Sequence, residues 1–356
     1  MAGAVSLLLV AAAGTVAVRT SVTPAALAFI AGGPLGGASA AALAAAPVPV
    51  PTTVPAPGPR ASPLSSPIPV DGVLAAAGYK LPPGAAVYAA KITKGPGGLA
   101  YDDFEGGAGA LGTDFWPASS IKVLAAVGAL EFVGQQGFTG AATVSFGGGA
   151  PRTIRSIYDA AIRVSSNADY DLLVEIAGVD WLNKQFLTPA RGFTKTVIQQ
   201  SYTGGDLRST PALTLTEGAR KVVVPARTSK FDNDCPQGQC SDLFEMSESV
   251  RRLVLNDEIP PAERFKLAST DVAGLNAALL AAEGWFEPAV ARVLGAGALI
   301  YGKPGEVSTR DCLDVTLIQA RDGRRFLLSA TMPENQGGCP ALVTLATVIL
   351  TLLNSF

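Results

Sequence analysis

The chain has 356 residues and a net charge of −2, from 27 Lys and Arg against 29 Asp and Glu, and it contains no histidine. This balance gives no basic stripe, so nucleic acid is not an expected partner, and the missing imidazole excludes every site that relies on histidine as its base. With 48% hydrophobic and 16% charged residues, the composition is typical of a globular domain with a large core and an apolar leader.

Residues 1–46 are apolar and carry a single charge, Arg19. The run at 5–18 is too short to span a bilayer, and the longer run at 24–46 is interrupted by glycine and proline. Ala38-Ser39-Ala40 is a small-residue sequence of the kind that signal peptidases cleave. Residues 1–46 are therefore predicted to be a secretory signal, or else an uncleaved membrane anchor, and the protein is expected to be exported to the cell envelope or beyond it.

A proline-rich stretch follows, with nine prolines between residues 47 and 70. Proline cannot donate to a sheet or helix ladder, so this composition predicts an extended spacer. We assign 47–74 to a linker and 75–356 to one folded domain. The spacer would tether the domain to a membrane if the leader is retained, although an inert disordered tail has the same composition.

Within the domain, strands are predicted near both ends and helices in the middle. Two strands at 84–93 and 99–104 flank a Gly-Pro-Gly-Gly turn, and a hairpin is predicted around Asp322-Gly323. The strands of this hairpin are 314–320 and 325–331, and one more strand is predicted at 296–303. One helix is predicted to start at Ser119. The other predicted helices are 153–164, 168–177, 180–187, 211–223, 248–255, 262–268, 272–282, 288–294 and 340–353. This order indicates an α+β fold in which one antiparallel sheet is assembled from both ends of the domain beside a helical subdomain.

Four cysteines occur late in the chain, at Cys235, Cys240, Cys312 and Cys339. An even number of cysteines behind an export signal indicates two disulfides. The first two could close a short loop and leave the last two to pair, but three connectivities are open. A zinc site is the weaker alternative, because there is no C-x-x-C pair and no histidine; no metal or cofactor is predicted.

The tetrad Ser119-Ser120-Ile121-Lys122 precedes a stretch, 121–133, in which only Lys122 and Glu131 are charged. A helix that is apolar nearly all round is buried, and burial lowers the pKa of an ammonium group. A neutral Lys122 could take the proton of Ser119, which lies three residues earlier on the same helix face. In the alternative interpretation, Ser119 only caps the helix and Lys122 extends to the surface.

Two further motifs follow in chain order. Ser165-Ser166-Asn167 lies between two predicted helices, and Lys303-Pro304-Gly305 ends a predicted strand. With S-x-x-K, these resemble the three motifs of the penicillin-recognising serine enzymes, the class A β-lactamases and related penicillin-binding proteins. Residues 206–211 are similar to the segment that closes the omega loop of that family, and the resemblance extends over residues 84–356.

The resemblance implies acyl transfer on a small-molecule or peptide-like amide or ester by a monomeric serine hydrolase without a cofactor. It assigns the nucleophile to Ser119, the base to Lys122, a proton relay to Ser165 and the orientation of Lys122 and of the substrate amide to Asn167. It also implies that Lys303 adds positive charge beside Ser165.

For the substrate, the resemblance implies an oxyanion hole formed by the backbone N–H groups of Ser119 and Glu306. Gly305, Glu306 and Arg310 would then contact the substrate, with Arg310 or Lys303 able to neutralise Glu306.

The sequence departs from the family pattern in two places. Pro304 replaces a hydroxyl residue, and Glu306 places a carboxylate where the family has a small neutral side chain, so the substrate is expected to be neutral or cationic at that end. Between Trp181 and Gly205 there is no Asp or Glu, and Gln199, Gln200 and Asp206 are poor replacements for the family's deacylating glutamate. Slow β-lactam turnover is expected, and an exported binding or scaffolding domain without catalysis is the alternative function.

Overall fold

The computed structural model of the chain describes residues 59–60, 62–63, 66–107, 110–111, 115–235, 238–307 and 311–355. The predicted leader, the first part of the predicted linker and Arg310 lie outside these residues. The described strands are Ile68–Pro69 (β1), Ala86–Gly95 (β2), Gly98–Gly106 (β3), Thr143–Phe146 (β4), Arg152–Thr153 (β5), Val197–Ile198 (β6), Ser209–Thr210 (β7), Leu213–Glu217 (β8), Arg220–Val224 (β9), Arg227–Thr228 (β10), Gln239–Cys240 (β11), Leu299–Val307 (β12), Asp311–Gln319 (β13) and Arg325–Pro333 (β14). The described α-helices are Asp71–Ala76 (α1), Lys122–Gln135 (α2), Ile154–Arg163 (α3), Asn167–Ala177 (α4), Val179–Trp181 (α5), Leu243–Val254 (α6), Ser269–Leu280 (α7), Glu287–Leu294 (α8) and Gly338–Ser355 (α9).

The main sheet has six strands in the order β1-β3-β2-β14-β13-β12 and joins the two ends of the domain. All pairs are antiparallel except the short β1–β3 pair. The strand β2 from the first part of the domain pairs with β14 near its end, with Tyr88 opposite Ser329. The α+β fold, with a sheet built from both ends, is confirmed. The strand β12 lies at an edge of the sheet.

Both faces of the sheet are covered. Along β2, Tyr88, Ala90 and Ile92 belong to one buried cluster with the helical subdomain, whereas Val87 and Ala89 belong to a second cluster with α8 and α9. Alternate residues of a strand point to opposite faces, so the nearly continuous apolar sequence of β2 follows from burial on both sides.

The helix α2 runs through the centre of the helical subdomain, and its residues from Lys122 to Val133 are buried. Gly128 allows a close approach, since a Cβ atom there would lie 2.4 Å from Cδ2 of Leu182. The predicted buried helix is therefore confirmed, although it begins with a single 3₁₀ turn at Ala118–Ile121.

The closing helix α9 is long and apolar enough, with a mean hydropathy of 1.6, to cross a membrane. Here it packs on β13, β14 and α8, and Leu342, Leu345, Ile349 and Leu353 are buried in the second cluster. Burial in the core accounts for the apolar residues on the inner face of α9.

Both disulfides join the cysteines that are closest in sequence. Cys235 pairs with Cys240 at a Cα–Cα distance of 5.5 Å, and Cys312 pairs with Cys339 at 5.2 Å. The first closes the loop before α6, and the second ties β13 to the start of α9. This is the pairing in which the first two cysteines close a short loop.

Two predicted helices are wrong. Residues 211–223 form the hairpin of β8 and β9, in which Leu and Thr alternate and Gly218 takes the positive φ of the turn; β-branched residues and period-two alternation favour a strand. Residues 262–268 hold only the end of a 3₁₀ turn, Pro261–Glu263, because adjacent prolines start the turn and the chain then becomes extended.

Residues before position 75 also pack into the domain, although the sequence assigns them to the linker. The strand β1 pairs with β3, and Leu74 of α1 is buried. Arg60 is 5% exposed, donates to both carboxylate oxygens of Asp103 at 2.9 and 3.0 Å, and lies 4.1 Å from the ring centre of Tyr101. A buried carboxylate requires a partner, and the proline-rich segment supplies it.

Replacing Arg60 with Met is therefore expected to destabilise the domain by about 3 kcal/mol, because Asp103 is left buried without its cation. The free energy of unfolding from urea titration measures this. Lys184→Met is the control, since it breaks the exposed Lys184–Asp180 pair and should cost below about 1 kcal/mol. Equal effects of the two substitutions would show that residues 59–60 do not contribute to the folded unit.

Candidate active site

Three separate parts of the chain bring the motif residues together. Ser119 lies in the 3₁₀ turn that precedes α2, Ser165 lies between α3 and α4, and Asn167 is the first residue of α4. Lys303 lies on the edge strand β12. The helical subdomain and the sheet thus meet at these side chains.

Lys122 is fully buried and points at the second motif. Its Nζ donates to Asn167 Oδ1 at 2.7 Å, to the Ser165 carbonyl at 2.5 Å and to Ser165 Oγ at 3.2 Å. Burial, with help from the nearby Lys303 charge, lowers the pKa of Lys122 to about 7, while Asp171 and Asp169 oppose the shift. Lys122 therefore does not extend to the surface, as the alternative interpretation had it. With a pKa of about 7, a large fraction of its amine is neutral near pH 7.

Lys303 approaches the same serine from the sheet. It is 1% exposed, and its Nζ donates to Ser165 Oγ at 3.0 Å and to the Pro304 carbonyl at 2.9 Å. Burial lowers the pKa of Lys303 to about 8, and the negative charge of Asp314 limits the shift. Pro304 is tolerated because β12 has no further strand on its outer side.

Ser165 is the shared acceptor of the two lysines. A hydroxyl oxygen has two acceptor lone pairs and one O–H, so Ser165 Oγ accepts from both lysines when they are charged and can donate its own proton to the lone pair of Lys122 when that amine is neutral. The residue has φ of 57°, a left-handed conformation that is uncommon outside glycine. Such strained backbone is concentrated at functional sites.

Ser119 faces the open side of this cluster and is partly exposed. The N-cap positions of the 3₁₀ turn and of α2 are Pro117 and Ile121, so Ser119 is the N-cap of neither and the cap interpretation is wrong. Within the described residues no hydrogen bond joins Lys122 Nζ to Ser119 Oγ. The neighbouring Ser120 is buried and donates to the Pro117 carbonyl at 2.6 Å, which leaves Ser119 as the accessible serine.

The strand β12 passes close to the turn that carries Ser119. A Cβ atom at Gly305 would lie 3.0 Å from the Cβ of Ala118, so only glycine fits without displacement. Ala118 itself has φ of 45°. These two backbone positions bring Glu306 next to Ser119, where their N–H groups would form the predicted oxyanion hole.

Two cavities open beside Ser119. The larger, of about 460 Å³, is lined by Ser119, Ser165, Glu283, Gly284, Trp285, Glu287, Lys303, Pro304, Gly305 and Glu306. The smaller, of about 240 Å³, is lined by Trp116, Ala118, Ser119, Asn167, Gln200, Ser201, Tyr202 and Glu306. Ser119 and Glu306 are the residues common to both linings.

The long segment 188–209 borders the smaller cavity and is held by two buried carboxylates. Asp171 accepts hydrogen bonds of 2.5 to 3.0 Å from residues 201–203. Glu245 accepts bonds of 2.5 to 2.9 Å from residues 194–196. Neither carboxylate was predicted from the sequence, because no local pattern shows that an acidic residue on a helix will face a distant loop.

Tyr202 was also not predicted from the sequence, and it connects this segment to the 3₁₀ turn that carries Ser119. Its hydroxyl donates to the Ala118 carbonyl at 2.5 Å and accepts from Gln239 Nε2 at 2.5 Å. Its ring stacks on Tyr170 with 4.5 Å between centres and lies 5.4 Å from Lys122 Nζ. Tyr202 therefore covers the buried amine and supports the strained turn.

Within the described residues, the segment 188–209 places no carboxylate of its own in either cavity beside Ser119. Gln200 lines the smaller cavity and accepts a hydrogen bond from Trp116 Nε1 at 2.9 Å. Asp206 is exposed, accepts from the backbone N–H of Arg208 at 3.0 Å and lines neither cavity. In the described part of the chain, no cluster of Cys, Asp and Glu could hold a metal ion.

The wall of the larger cavity is fixed by Asp314, another residue missed by the sequence analysis. Its fully buried carboxylate accepts from the backbone N–H groups of Trp285 and Phe286 at 2.6 and 3.2 Å. Burial raises the pKa of Asp314 to about 6, and these N–H donors together with the Lys303 charge limit the rise. This contact holds the α7–α8 connection beside β12.

No family model matches the sequence, and no curated protein matches it. Solved structures do match. PBP-A is similar with a TM-score of 0.57 at 14% identity, covering 84% of this chain and 100% of that one. A class A β-lactamase from Mycobacterium abscessus gives 0.54 at 16%, covering 80% and 99%.

A third similar structure is the chromosome-encoded β-lactamase of Vibrio parahaemolyticus, with a TM-score of 0.52, 14% identity and coverage of 75% and 92%. At these identities the likeness concerns the fold. Together with the sheet assembled from both chain ends, it establishes that the chain has a β-lactamase/transpeptidase-like fold.

Proposed function

We propose that the protein is an exported serine hydrolase that acts through an acyl-enzyme on a small-molecule or peptide-like amide or ester, with slow turnover of β-lactams. The observation that carries the proposal is the buried contact of Ser165 Oγ with both Lys122 and Lys303, at the floor of the cavity that holds Ser119. Burial of two lysines around one hydroxyl is costly, and it places an amine that can be neutral close to Ser119, where it could take part in proton transfer.

In acylation, Ser119 Oγ attacks the substrate carbonyl carbon and gives its proton to the neutral Lys122, directly or through Ser165. The backbone N–H groups of Ser119 and Glu306 stabilise the oxyanion. Collapse of the tetrahedral intermediate breaks the bond to the leaving nitrogen or oxygen, which takes the proton from Lys122 through Ser165. Asn167 keeps Lys122 in place, and Lys303 orients Ser165.

Deacylation requires a base for water. In the smaller cavity the segment 188–209 supplies Gln200, Ser201 and Tyr202, none of which is a carboxylate, so the acyl-enzyme is expected to persist. The solved structures support acylation as the shared chemistry. They are β-lactamases and PBP-A, and a mutant of PBP-A forms an acyl-enzyme complex with penicillin G.

The cellular setting of the proposal comes from the sequence. The apolar leader 1–46 and two disulfides are typical of an exported protein, and the segment before the domain would tether it to a membrane if the leader is kept. We expect the domain to act as a monomer, and Arg310 remains a proposed substrate contact.

A non-catalytic binding domain is the second candidate. It is favoured by Pro304 and Glu306 and by the missing hydrogen bond between Lys122 and Ser119 within the described residues. Hydrogen bonds at catalytic sites are often long without substrate, so the distance between Lys122 and Ser119 alone does not exclude catalytic activity.

The two candidates differ in whether Ser119 reacts. We expect a fluorescent fluorophosphonate, and more slowly a fluorescent penicillin, to attach to Ser119, and Ser119→Ala to abolish both adducts in intact-protein mass spectra. Ser120→Ala is the matched control, since Ser120 is buried and should leave labelling within about threefold of the original. Absence of any adduct on a protein with native circular dichroism would favour the binding domain.

The rate of Ser119 labelling is expected to follow a bell-shaped pH profile. The rate rises as Lys122 loses its proton near pH 7 and falls as Lys303 loses its proton near pH 8, and because the two groups share Ser165 these values belong to the pair. In Lys303→Gln the repulsion that lowers the pKa of Lys122 is absent, so the rising limb should move to higher pH. A rate that does not change between pH 5 and 9 would contradict the role of Lys122.

With a chromogenic cephalosporin we expect a burst of at most one equivalent per protein and then turnover slower than the burst by at least about a hundredfold, because no carboxylate of the segment activates water. Stopped-flow absorbance measures both phases. Steady turnover without a burst, with Ser119→Ala inactive, would show that another group performs deacylation.

A further inference from the structure

We infer that the site selects an acyl substrate that carries a positive charge near the scissile bond, held by Glu306 and Glu283 in the larger cavity. This inference rests on the proposed function and names the substrate class of the same site. A pocket that binds a substrate carboxylate needs positive charge and hydrogen-bond donors. The charges, donors and side chains that line this cavity have the opposite character.

The described lining of the larger cavity contains three carboxylates, Glu283, Glu287 and Glu306, and one cation, Lys303. Glu283 and Glu306 are exposed to the cavity solvent, and neither carboxylate forms an ion pair or hydrogen bond with another described residue. One oxygen of Glu287 accepts from the backbone N–H of Gly284 at 3.1 Å. The described wall therefore has a net negative charge with two unpaired carboxylates.

Lys303 is poorly placed to offset this charge. Its Nζ is buried and bonded to Ser165 Oγ and to the Pro304 carbonyl, and burial lowers its pKa to about 8. Pro304 has neither a hydroxyl nor a backbone N–H to offer. A substrate carboxylate would lose its hydration at this wall and meet few described donors, which is unfavourable.

Glu306 is the residue that links this charge to the reaction. It follows Gly305 on the edge strand and lines both cavities together with Ser119. Its carboxylate therefore lies on the path of any group attached to the acyl carbon or to the leaving atom. Trp285 adds an aromatic side chain to the same wall, and ammonium groups bind well to aromatic faces.

The size of the effect follows from Coulomb attraction. A cation some 4–6 Å from one carboxylate near a protein surface gains enough to change a rate by about tenfold or more. The attraction at exposed carboxylates weakens as salt rises. Charge selection should therefore be largest at low ionic strength and should depend on each carboxylate separately.

The test compares three fluorophosphonates with arms of equal length that end in trimethylammonium, tert-butyl or carboxylate. In each reaction Ser119 Oγ forms a bond to phosphorus, fluoride leaves and the proton passes to Lys122, so no turnover is needed. Intact-mass kinetics at 20 mM salt should give a rate constant for the cationic probe about tenfold above that of its tert-butyl isostere, and a slower rate for the carboxylate probe.

Glu306→Gln and Glu283→Gln should each reduce severalfold the ratio of the rate constant of the cationic probe to that of its neutral isostere. Asp102→Asn is the matched control: it removes an exposed carboxylate on β3 that lines neither cavity, and it should leave the ratio unchanged. An equal reduction in Asp102→Asn would mean that only net charge matters, which would overturn the inference.

Three further outcomes are decisive. Equal rates for the cationic and neutral probes would overturn the inference while labelling of Ser119 leaves the proposed function intact. A faster carboxylate probe that loses its advantage in Arg310→Gln would show that the cavity binds anions through Arg310. No labelling by any of the three probes would contradict the proposed function itself.

Discussion

The hydroxyl of Ser165 between two buried lysines is the interaction on which the rest of the site depends. Lys122 and Lys303 would repel each other as ammonium groups, and no carboxylate in the described part of the chain forms an ion pair with either. Their pKa values are lowered to about 7 and about 8, chiefly by burial. At ordinary pH the two lysines therefore need not both be charged. A neutral amine beside a hydroxyl is then available without histidine.

The fold creates this cluster by assembling distant segments. Lys122 enters from the first turn of the central buried helix, Ser165 from a connection between two helices, and Lys303 from the edge strand of the main sheet. In the centre of the sheet, β2 from the first part of the domain pairs with β14 from near its end. Any change that separates the helical subdomain from the sheet would separate Lys122 from Lys303.

Buried carboxylates hold the walls around the cluster. Asp171 and Glu245 fasten the segment 188–209, and Asp314 fastens the connection before α8. Arg60 and Asp103 perform a similar task where the N-terminal segment meets the sheet. These carboxylates accept from backbone N–H groups, from side-chain hydroxyls or from a guanidinium, which makes the loop positions specific. Ser119 thus lies among loops that these polar bonds help to keep in place.

Much of this arrangement could be predicted from the sequence, because its signals are local. The apolar residues around Lys122 predicted a buried lysine, strands near both ends predicted the sheet, and cysteine spacing suggested the pairing that the structure has. The hairpin at 213–224 was predicted as a helix, because the alternation of Leu and Thr in β8 extends over only a few residues. Tyr202, Asp171 and Asp314 could not be found, because the loop residues that they bind lie 28 or more residues away in the chain. Residue types and their periodicity determined which groups are buried; only tertiary contacts between distant segments decided which of them meet, and hence the charge of the cavity that Ser119 faces.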